Sequence, residues 1–301
     1  MITATFLWRM VQPDPALTVA ESSVAKLKTA QRHSANPVRA LFLALLLAFG
    51  TAAIPGQSPS PTPTPGVGDE TTSTAAGEGA KGVNPADNIT KIELLPRLQV
   101  IDDDISIVAT AIKYDRALNS NWGINVELPI LRFQSPFGTD NGIGDVAFRF
   151  RYQTKPSKRV TLITGGEVII PTATADSLGG GKLQLNPTVA AVYQVSNTTF
   201  VAGVTKQIFS VAGSDSRPDI RQSQNRLLIG YVSRKGWWAM ADPQLWLDYR
   251  RNALPAFEPE FEVGKMVGPT TGIWFRAGGH VAGGWHRQAW NIGGGIRFIS
   301  F

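Results

Sequence analysis

The stretch DVAFRFRY, residues 145–152, alternates between two kinds of side chain. Its even-numbered residues are valine, phenylalanine, phenylalanine and tyrosine, whereas the odd-numbered ones include Arg149 and Arg151. Successive side chains of a β-strand point to opposite faces, so this stretch predicts a strand with one apolar and one polar face. A membrane barrel needs such strands, and so does a soluble sheet with one face on a core.

Similar segments recur from residue 89 onward. We predict about twelve strands, over residues 89–101, 104–115, 121–132, 142–153, 158–170, 182–195, 198–208, 221–233, 236–250, 256–266, 270–282 and 288–301. An even number of this size falls within the range of bacterial outer-membrane barrels. The predicted fold is therefore all-β, an antiparallel transmembrane β-barrel over residues 89–301, and a secreted soluble β-sandwich is the alternative.

The connectors between these segments differ in length in an alternating manner. Residues 133–141, 171–181, 209–220, 251–255 and 283–287 form mostly longer connectors, and residues 154–157, 196–197, 234–235 and 267–269 form mostly tight turns. Outer-membrane barrels have long extracellular loops and short periplasmic turns. The pattern predicts that the longer set faces outward, with exceptions at residues 102–103 and 116–120.

The region before the barrel divides into three predicted parts. Residues 40–49, ALFLALLLAF, are too few to span a bilayer as a helix but suit a signal peptide over residues 38–53, with cleavage after Ala53. A buried helix is the alternative. Residues 1–37 lack apolar periodicity, so we expect them to be a mis-assigned upstream extension, with the true start at Val38 from a non-AUG codon.

Residues 54–88 contain the spacer SPSPTPTPG and few apolar side chains. Such a stretch cannot bury enough surface to fold, so it predicts a disordered periplasmic linker. Binding of peptidoglycan or of a partner is the alternative to a plain spacer.

Composition narrows the function classes. The chain has no Cys, which excludes disulfides, thiolate metal sites and a Cys nucleophile. The net charge of +6 comes from scattered basic residues, which argues against nucleic-acid binding. Five tryptophans near predicted strand ends suggest interface girdles: Trp122, Trp237, Trp238, Trp285 and Trp290. The last strand, ending in Phe301, is the expected contact with the barrel-assembly machinery, although Arg297 interrupts its apolar phase.

No enzymatic motif is present. Residues 142–145, GIGD, lack the third glycine of a dinucleotide fingerprint, and residues 178–182, LGGGK, lack the spacing of a phosphate loop. His280 and His286 lie near Asp242 and Asp248 in the predicted sheet but without a positioned nucleophile. We therefore predict no catalytic residues, no cofactor and no metal site; a membrane-embedded hydrolase is the weakest alternative.

Several segments resemble one known family. YDRALNSNWGINVELPI (residues 114–130) and NGIGDVAFRFRYQ (residues 141–153) resemble outer-membrane proteins of the phenol meta-cleavage-pathway family, as do residues 165–173 and 185–194. The resemblance spans roughly residues 89–301, while the proline-rich linker and the long leader depart from it. It implies a barrel in the outer membrane of a Gram-negative bacterium, with a suspected role in the uptake of aromatic or other weakly polar compounds.

Charged residues on the lumen parity suggest what the barrel does. The predicted lumen-lining residues are Glu127, Arg149, Arg151, Glu167, Arg226, Asp248, Glu258, Glu260, Glu262 and Arg276. If acids and bases lie on opposite walls, they place a transverse field across a wet pore and favour polar or amphipathic solutes. We thus expect a channel or transporter for small solutes; alternatively, the charges pair and fill a structural barrel, because twelve strands enclose a narrow lumen.

Overall fold

A computed structural model of the protein describes residues 80–299, which form one antiparallel β-sheet closed on itself. Residues 1–79, 300 and 301 lie outside the described residues, and with them the predicted signal peptide, most of the predicted linker and Phe301. Twelve strands are present. They are β1 (Lys91–Asp102), β2 (Ile105–Ala117), β3 (Trp122–Ser135), β4 (Gly138–Ile143 and Val146–Ser157), β5 (Val160–Ile170), β6 (Lys182–Gln194), β7 (Thr199–Gly213), β8 (Arg221–Val232), β9 (Trp237–Asp242 and Gln244–Asp248), β10 (Leu254–Phe257 and Glu260–Met266), β11 (Thr271–Gly279 and Ala282–Gly283) and β12 (Trp290–Ile299).

Every strand pairs with its neighbours in the sequence, and β1 also pairs with β12, which closes the barrel. The closing register places Glu93 opposite Arg297 and Leu98 opposite Ile292. Closure pairs the first strand with the last, as a barrel in a membrane requires. The predicted all-β barrel of about twelve strands is confirmed.

Four strands, β4, β9, β10 and β11, are each interrupted once. In β9 the interruption is Pro243, and in β10 it is the pair Glu258 and Pro259. Proline has no N–H to donate to a neighbouring strand, so it breaks the ladder locally. The break in β4 is at Gly144 and Asp145, where the Asp145 carboxylate accepts hydrogen bonds from the N–H groups of Ala173 and Gly180.

The outer surface of the barrel is apolar. Large hydrophobic side chains from all twelve strands are exposed on it, including Val108, Ile130, Phe150, Leu162, Val189, Ile229, Val263, Phe275 and Phe298. Glutamates and arginines of the opposite parity are buried inside. A soluble sandwich would bury the apolar face, so this arrangement rules out that alternative.

The two ends of the barrel differ in their connectors. We call the end with residues 118–121, 158–159, 195–198, 233–236 and 267–270 the turn end, and the end with residues 103–104, 136–137, 171–181, 214–220, 249–253 and 284–289 the loop end. The predicted loop over residues 133–141 is wrong, because β3 and β4 continue as a hairpin around Pro136 and Phe137. Short 3₁₀ turns lie at Asp176–Leu178 and Tyr249–Arg251.

The tryptophans fit the girdle prediction in part. Trp122, Trp237 and Trp290 are exposed on the outer surface, whereas Trp238 and Trp285 are buried. Trp238 is buried because its position in the strand alternation points it into the lumen. The adjacent Gly264 makes room for the ring there, since a Cβ at that position would lie 2.2 Å from the indole.

In strand β12 the structure shows which residues face the lumen and which face outward, a point that the sequence pattern did not decide. Arg297 and Ile299 are buried inside the barrel, and Ile296 and Phe298 are exposed on the outside. Arg297 therefore belongs to the lumen face and does not interrupt the apolar phase. Within residues 80–299, no helix has the length and apolarity needed to cross a membrane.

Candidate functional site: the lumen

The middle of the barrel encloses a cavity of about 630 Å³. Each of the twelve strands contributes at least one side chain to its wall. Eight of the ten predicted lumen residues line it: Glu127, Arg149, Arg151, Glu167, Arg226, Glu260, Glu262 and Arg276. Seven of these residues, all but Arg151, belong to two charge networks on the inner wall, and a third network is formed by other charged residues.

The first network is centred on Arg149 of β4. Its Nη1 donates to Glu127 Oε2 of β3 at 2.7 Å, and its Nε donates to Glu167 of β5. Lys206 Nζ of β7 lies 3.2 Å from Glu167 Oε1, which also accepts from Asn186 Nδ2 of β6 at 2.9 Å. Adjacent strands thus place a base between two acids, so this charge is neutralised locally.

The second network contains the acids of β9 and β10. Arg276 of β11 binds Glu262 at 2.6 Å and Glu260 at 3.2 Å, and Glu260 also binds Arg97 of β1. Arg226 of β8 makes a two-pronged contact with Asp242 of β9. Glu262 additionally accepts a hydrogen bond from the Trp238 indole at 2.8 Å.

The third network was not predicted from the sequence. It surrounds Glu93 of β1, which lies 2.6 Å from Arg297 Nε, 3.2 Å from Lys91 Nζ and 3.3 Å from Lys113 Nζ of β2. Asp115 of β2 completes it, 3.5 Å from Lys113. These residues follow the same period of two as the predicted ones, so strand parity was the signal available for finding them.

Two predicted residues lie away from the cavity, near the loop end. Asp248 accepts a hydrogen bond from the Arg250 N–H at 3.0 Å and starts the 3₁₀ turn that follows β9. Glu258, at the break in β10, accepts from the Arg287 N–H at 2.8 Å. The Arg287 guanidinium lies over the Trp246 ring, 3.9 Å from its centroid.

The prediction that acids and bases lie on opposite walls, and so produce a transverse field across the lumen, is wrong, because they are paired on neighbouring strands. Arg149 lies between Glu127 and Glu167, and Glu260 and Glu262 contact Arg276. Neighbouring strands supply the partners because antiparallel register brings them side by side, at distances where pairing dominates any field across the lumen.

At the turn end, residues 80–88 enter the barrel and form the wall of the cavity on that side. We call them the entry segment. Arg151, which is one of the predicted lumen residues, donates to the carbonyl oxygens of Pro85 at 3.1 Å and Asp87 at 2.8 Å. Asn84 Nδ2 donates to Gln194 Oε1 at 2.9 Å. For these nine residues the structure differs from the predicted disordered linker.

The entry segment also has an apolar contact. Ala80 and Val83 are buried in a cluster with inward-facing side chains of β6–β9, among them Phe200, Leu228 and Trp238. Within the segment, the Gly82 N–H donates to the Asp87 carboxylate at 2.8 Å. Burial raises the pKa of the Asp87 carboxyl. The segment is therefore a folded part of the lumen.

At the loop end, side chains of the strands and connectors pack into two buried apolar clusters. In the first, Leu178 from the 171–181 connector packs against Ile107, Leu131 and Phe133 of β2 and β3. The second is built from Ile208, Ile220, Trp246, Ala256 and Trp285. The cavity thus lies between apolar packing at both ends.

The candidate catalytic groups serve structural contacts. The imidazole rings of His280 and His286 lie 5.4 Å apart, and His286 Nε2 is 3.1 Å from the Ile101 carbonyl oxygen. Asp242 binds Arg226, and Asp248 binds the Arg250 N–H. Among residues 80–299, no group of three or more acidic or histidine side chains is arranged to hold a metal ion.

Comparison with solved structures places this fold among outer-membrane porins and channels. An outer membrane channel from Pseudomonas putida F1 superposes with a TM-score of 0.59 at 13% identity, over 72% of this chain and all of that one. The KdgM porin (9% identity) and the NanC porin (11%) each give a TM-score of 0.52, over 70% of this chain and 99% and 100% of theirs. No family model and no curated protein matches the sequence. The phenol meta-cleavage resemblance therefore stays a prediction, and the chain is similar in fold to outer-membrane porins.

Proposed function

We propose that this protein is a channel in the outer membrane of a Gram-negative bacterium, passing small solutes through a lumen that the entry segment obstructs. One observation carries the proposal: a cavity of about 630 Å³, lined by many charged side chains, inside a closed barrel whose outer surface is apolar. A protein that only strengthens a membrane has no need of such a space. The barrel folds of the structural neighbours support the same function.

The solute class follows from the charge of the wall. The cavity wall carries many acids and bases, and most of them are paired within hydrogen-bonding distance. The wall has eleven basic and seven acidic side chains, so pairing leaves it net positive. Small polar or amphipathic solutes, above all anionic ones, are therefore favoured over cations. Uptake of aromatic compounds rests on the family resemblance alone.

A structural barrel with a filled lumen is the second candidate. The apolar clusters at both ends and the extensive ion pairing favour it. The two candidates differ in a direct measurement. Purified protein in liposomes should admit small sugars and exclude larger ones, and planar bilayers should record discrete conductance steps.

Folding is checked first by comparing boiled and unboiled samples on a detergent gel, because a closed barrel resists unfolding. Folded protein that gives neither solute flux nor conductance would favour the structural barrel. The matched control is a variant lacking residues 80–88: flux in this variant but not in the intact chain identifies the entry segment as the obstruction.

A further inference from the structure

The connectors at the turn end carry charges of one sign, all positive. These five connectors contain Lys158, Arg159, Arg234 and Lys235 and no acidic residue. By contrast, the loop-end connectors contain five aspartates. All four basic side chains are exposed, and within residues 80–299 they form no ion pair with a carboxylate.

The four basic residues lie in two turns of the same construction. In one, the Arg159 N–H donates to Ser157 Oγ at 3.3 Å, and in the other the Lys235 N–H donates to Ser233 Oγ at 3.1 Å. In each turn, the serine Oγ accepts a hydrogen bond from the N–H two residues later. Both residues that follow the serine are basic. A third turn, with the Thr198 N–H donating to Ser196 Oγ at 3.2 Å, has the same bond but uncharged residues.

Lipid-facing aromatic side chains lie beside both basic turns. Trp237 directly follows the Ser233 turn and is 52% exposed, and the ammonium group of Lys265 lies 4.7 Å from its ring centroid. Near the other turn, Tyr193 is 46% exposed and lies opposite Val160, the first residue after that turn. Such aromatic residues mark the boundary between hydrocarbon and headgroups, so the turns lie at the level of the lipid phosphates.

We propose that these two turns bind the headgroups of anionic phospholipid in the periplasmic leaflet. Unpaired cations at the level of the headgroup phosphates meet the complementary charge of anionic lipid there, and each adds to the attraction. The loop-end connectors mix five aspartates with four arginines, so they offer no comparable surface of one sign. The inference rests on the membrane location proposed above.

Native mass spectrometry of protein released from nanodiscs of equal phosphatidylglycerol and phosphatidylcholine tests the proposal. The intact chain should retain phosphatidylglycerol preferentially. The double variants Lys158→Gln/Arg159→Gln and Arg234→Gln/Lys235→Gln should each retain at least about threefold less, because each loses two headgroup cations. The control Arg132→Gln/Arg221→Gln removes two exposed cations near the loop end and should retain the normal amount.

A gain-of-function variant strengthens the test. Asn197→Lys/Thr198→Arg places two cations on the uncharged turn and should add phosphatidylglycerol. Equal retention by intact chain and turn variants, or equal loss in the loop-end control, would overturn the proposal. Failure to enter nanodiscs at all would instead contradict the proposed membrane function, so the two failures are distinguishable.

Discussion

The two ends of the lumen are closed by different means. At the turn end a separate segment, residues 80–88, lies across the opening, and most of its hydrogen bonds to the barrel run from side chains to backbone carbonyl groups. At the loop end the closing side chains belong to the barrel strands and to the connectors between them. The turn end can therefore open without breaking any strand pairing, and the loop end cannot clear fully without rearranging connectors.

The entry segment makes six hydrogen bonds to the barrel. A net hydrogen bond contributes about 1 kcal/mol, and ordering one residue's backbone costs about 1–2 kcal/mol. Two buried apolar side chains, Ala80 and Val83, add a modest hydrophobic term. Docking of a nine-residue segment is therefore close to balance, which suits an obstruction that moves.

The largest expected effect comes from removing the segment. Deletion of residues 80–88 should raise single-channel conductance several-fold, because the cavity then opens directly to the turn end. Planar-bilayer recording of intact and shortened proteins measures it. Equal conductance would mean that the loop end, and not the entry segment, limits passage.

A smaller effect is expected from loosening the segment. Arg151→Gln removes the two-pronged contact with Pro85 and Asp87, so the open state should be visited more often with its full conductance unchanged. Lys155→Gln is the control, since it removes an exposed cation at the same end that does not line the cavity. The open probability over long recordings is the readout. Equal open probabilities for the two variants would mean that Arg151 does not hold the entry segment in place.

Selectivity should respond to the acids of β10. The triple variant Glu258→Gln/Glu260→Gln/Glu262→Gln leaves Arg97 without a carboxylate partner and Arg276 with Asp242 alone, at 3.9 Å, so the pore should shift towards anions. The reversal potential in a salt gradient measures this shift. Some loss of stability is also expected, because unpairing a buried charge is costly, about 3–5 kcal/mol for each buried pair that is broken.

The matched control for charge removal lies outside the lumen. Asp102→Asn/Asp103→Asn/Asp104→Asn deletes the same formal charge from an exposed hairpin at the loop end. Salt screens exposed charges over about 8–10 Å at physiological ionic strength, so little change in selectivity is expected. A shift of the same size in both variants would show that overall charge, and not the lumen wall, decides selectivity.

The sequence predicts the strands well because a period of two repeats over twelve segments. It identifies Arg149 as a lumen residue but gives no register, and so could not reveal that Glu127 and Glu167 flank it. The hairpin of β3 and β4 was missed because its turn, at Pro136 and Phe137, resembles a longer loop. The entry segment was missed because it docks mainly through hydrogen bonds to carbonyl groups, which composition does not record.

The smallest expected effect concerns the loop end. Leu178→Ala removes most of the side chain that joins the 171–181 connector to Ile107, Leu131 and Phe133, at a cost of about 2 kcal/mol for a buried leucine. The connector should become more accessible to protease on intact cells, while conductance stays near normal because the other cluster still fills its part of the lumen. Leu118→Ala, at an exposed turn-end position, should change neither. A conductance increase comparable to that of the deletion would show that the loop end is also a gate and that the two closures are alike.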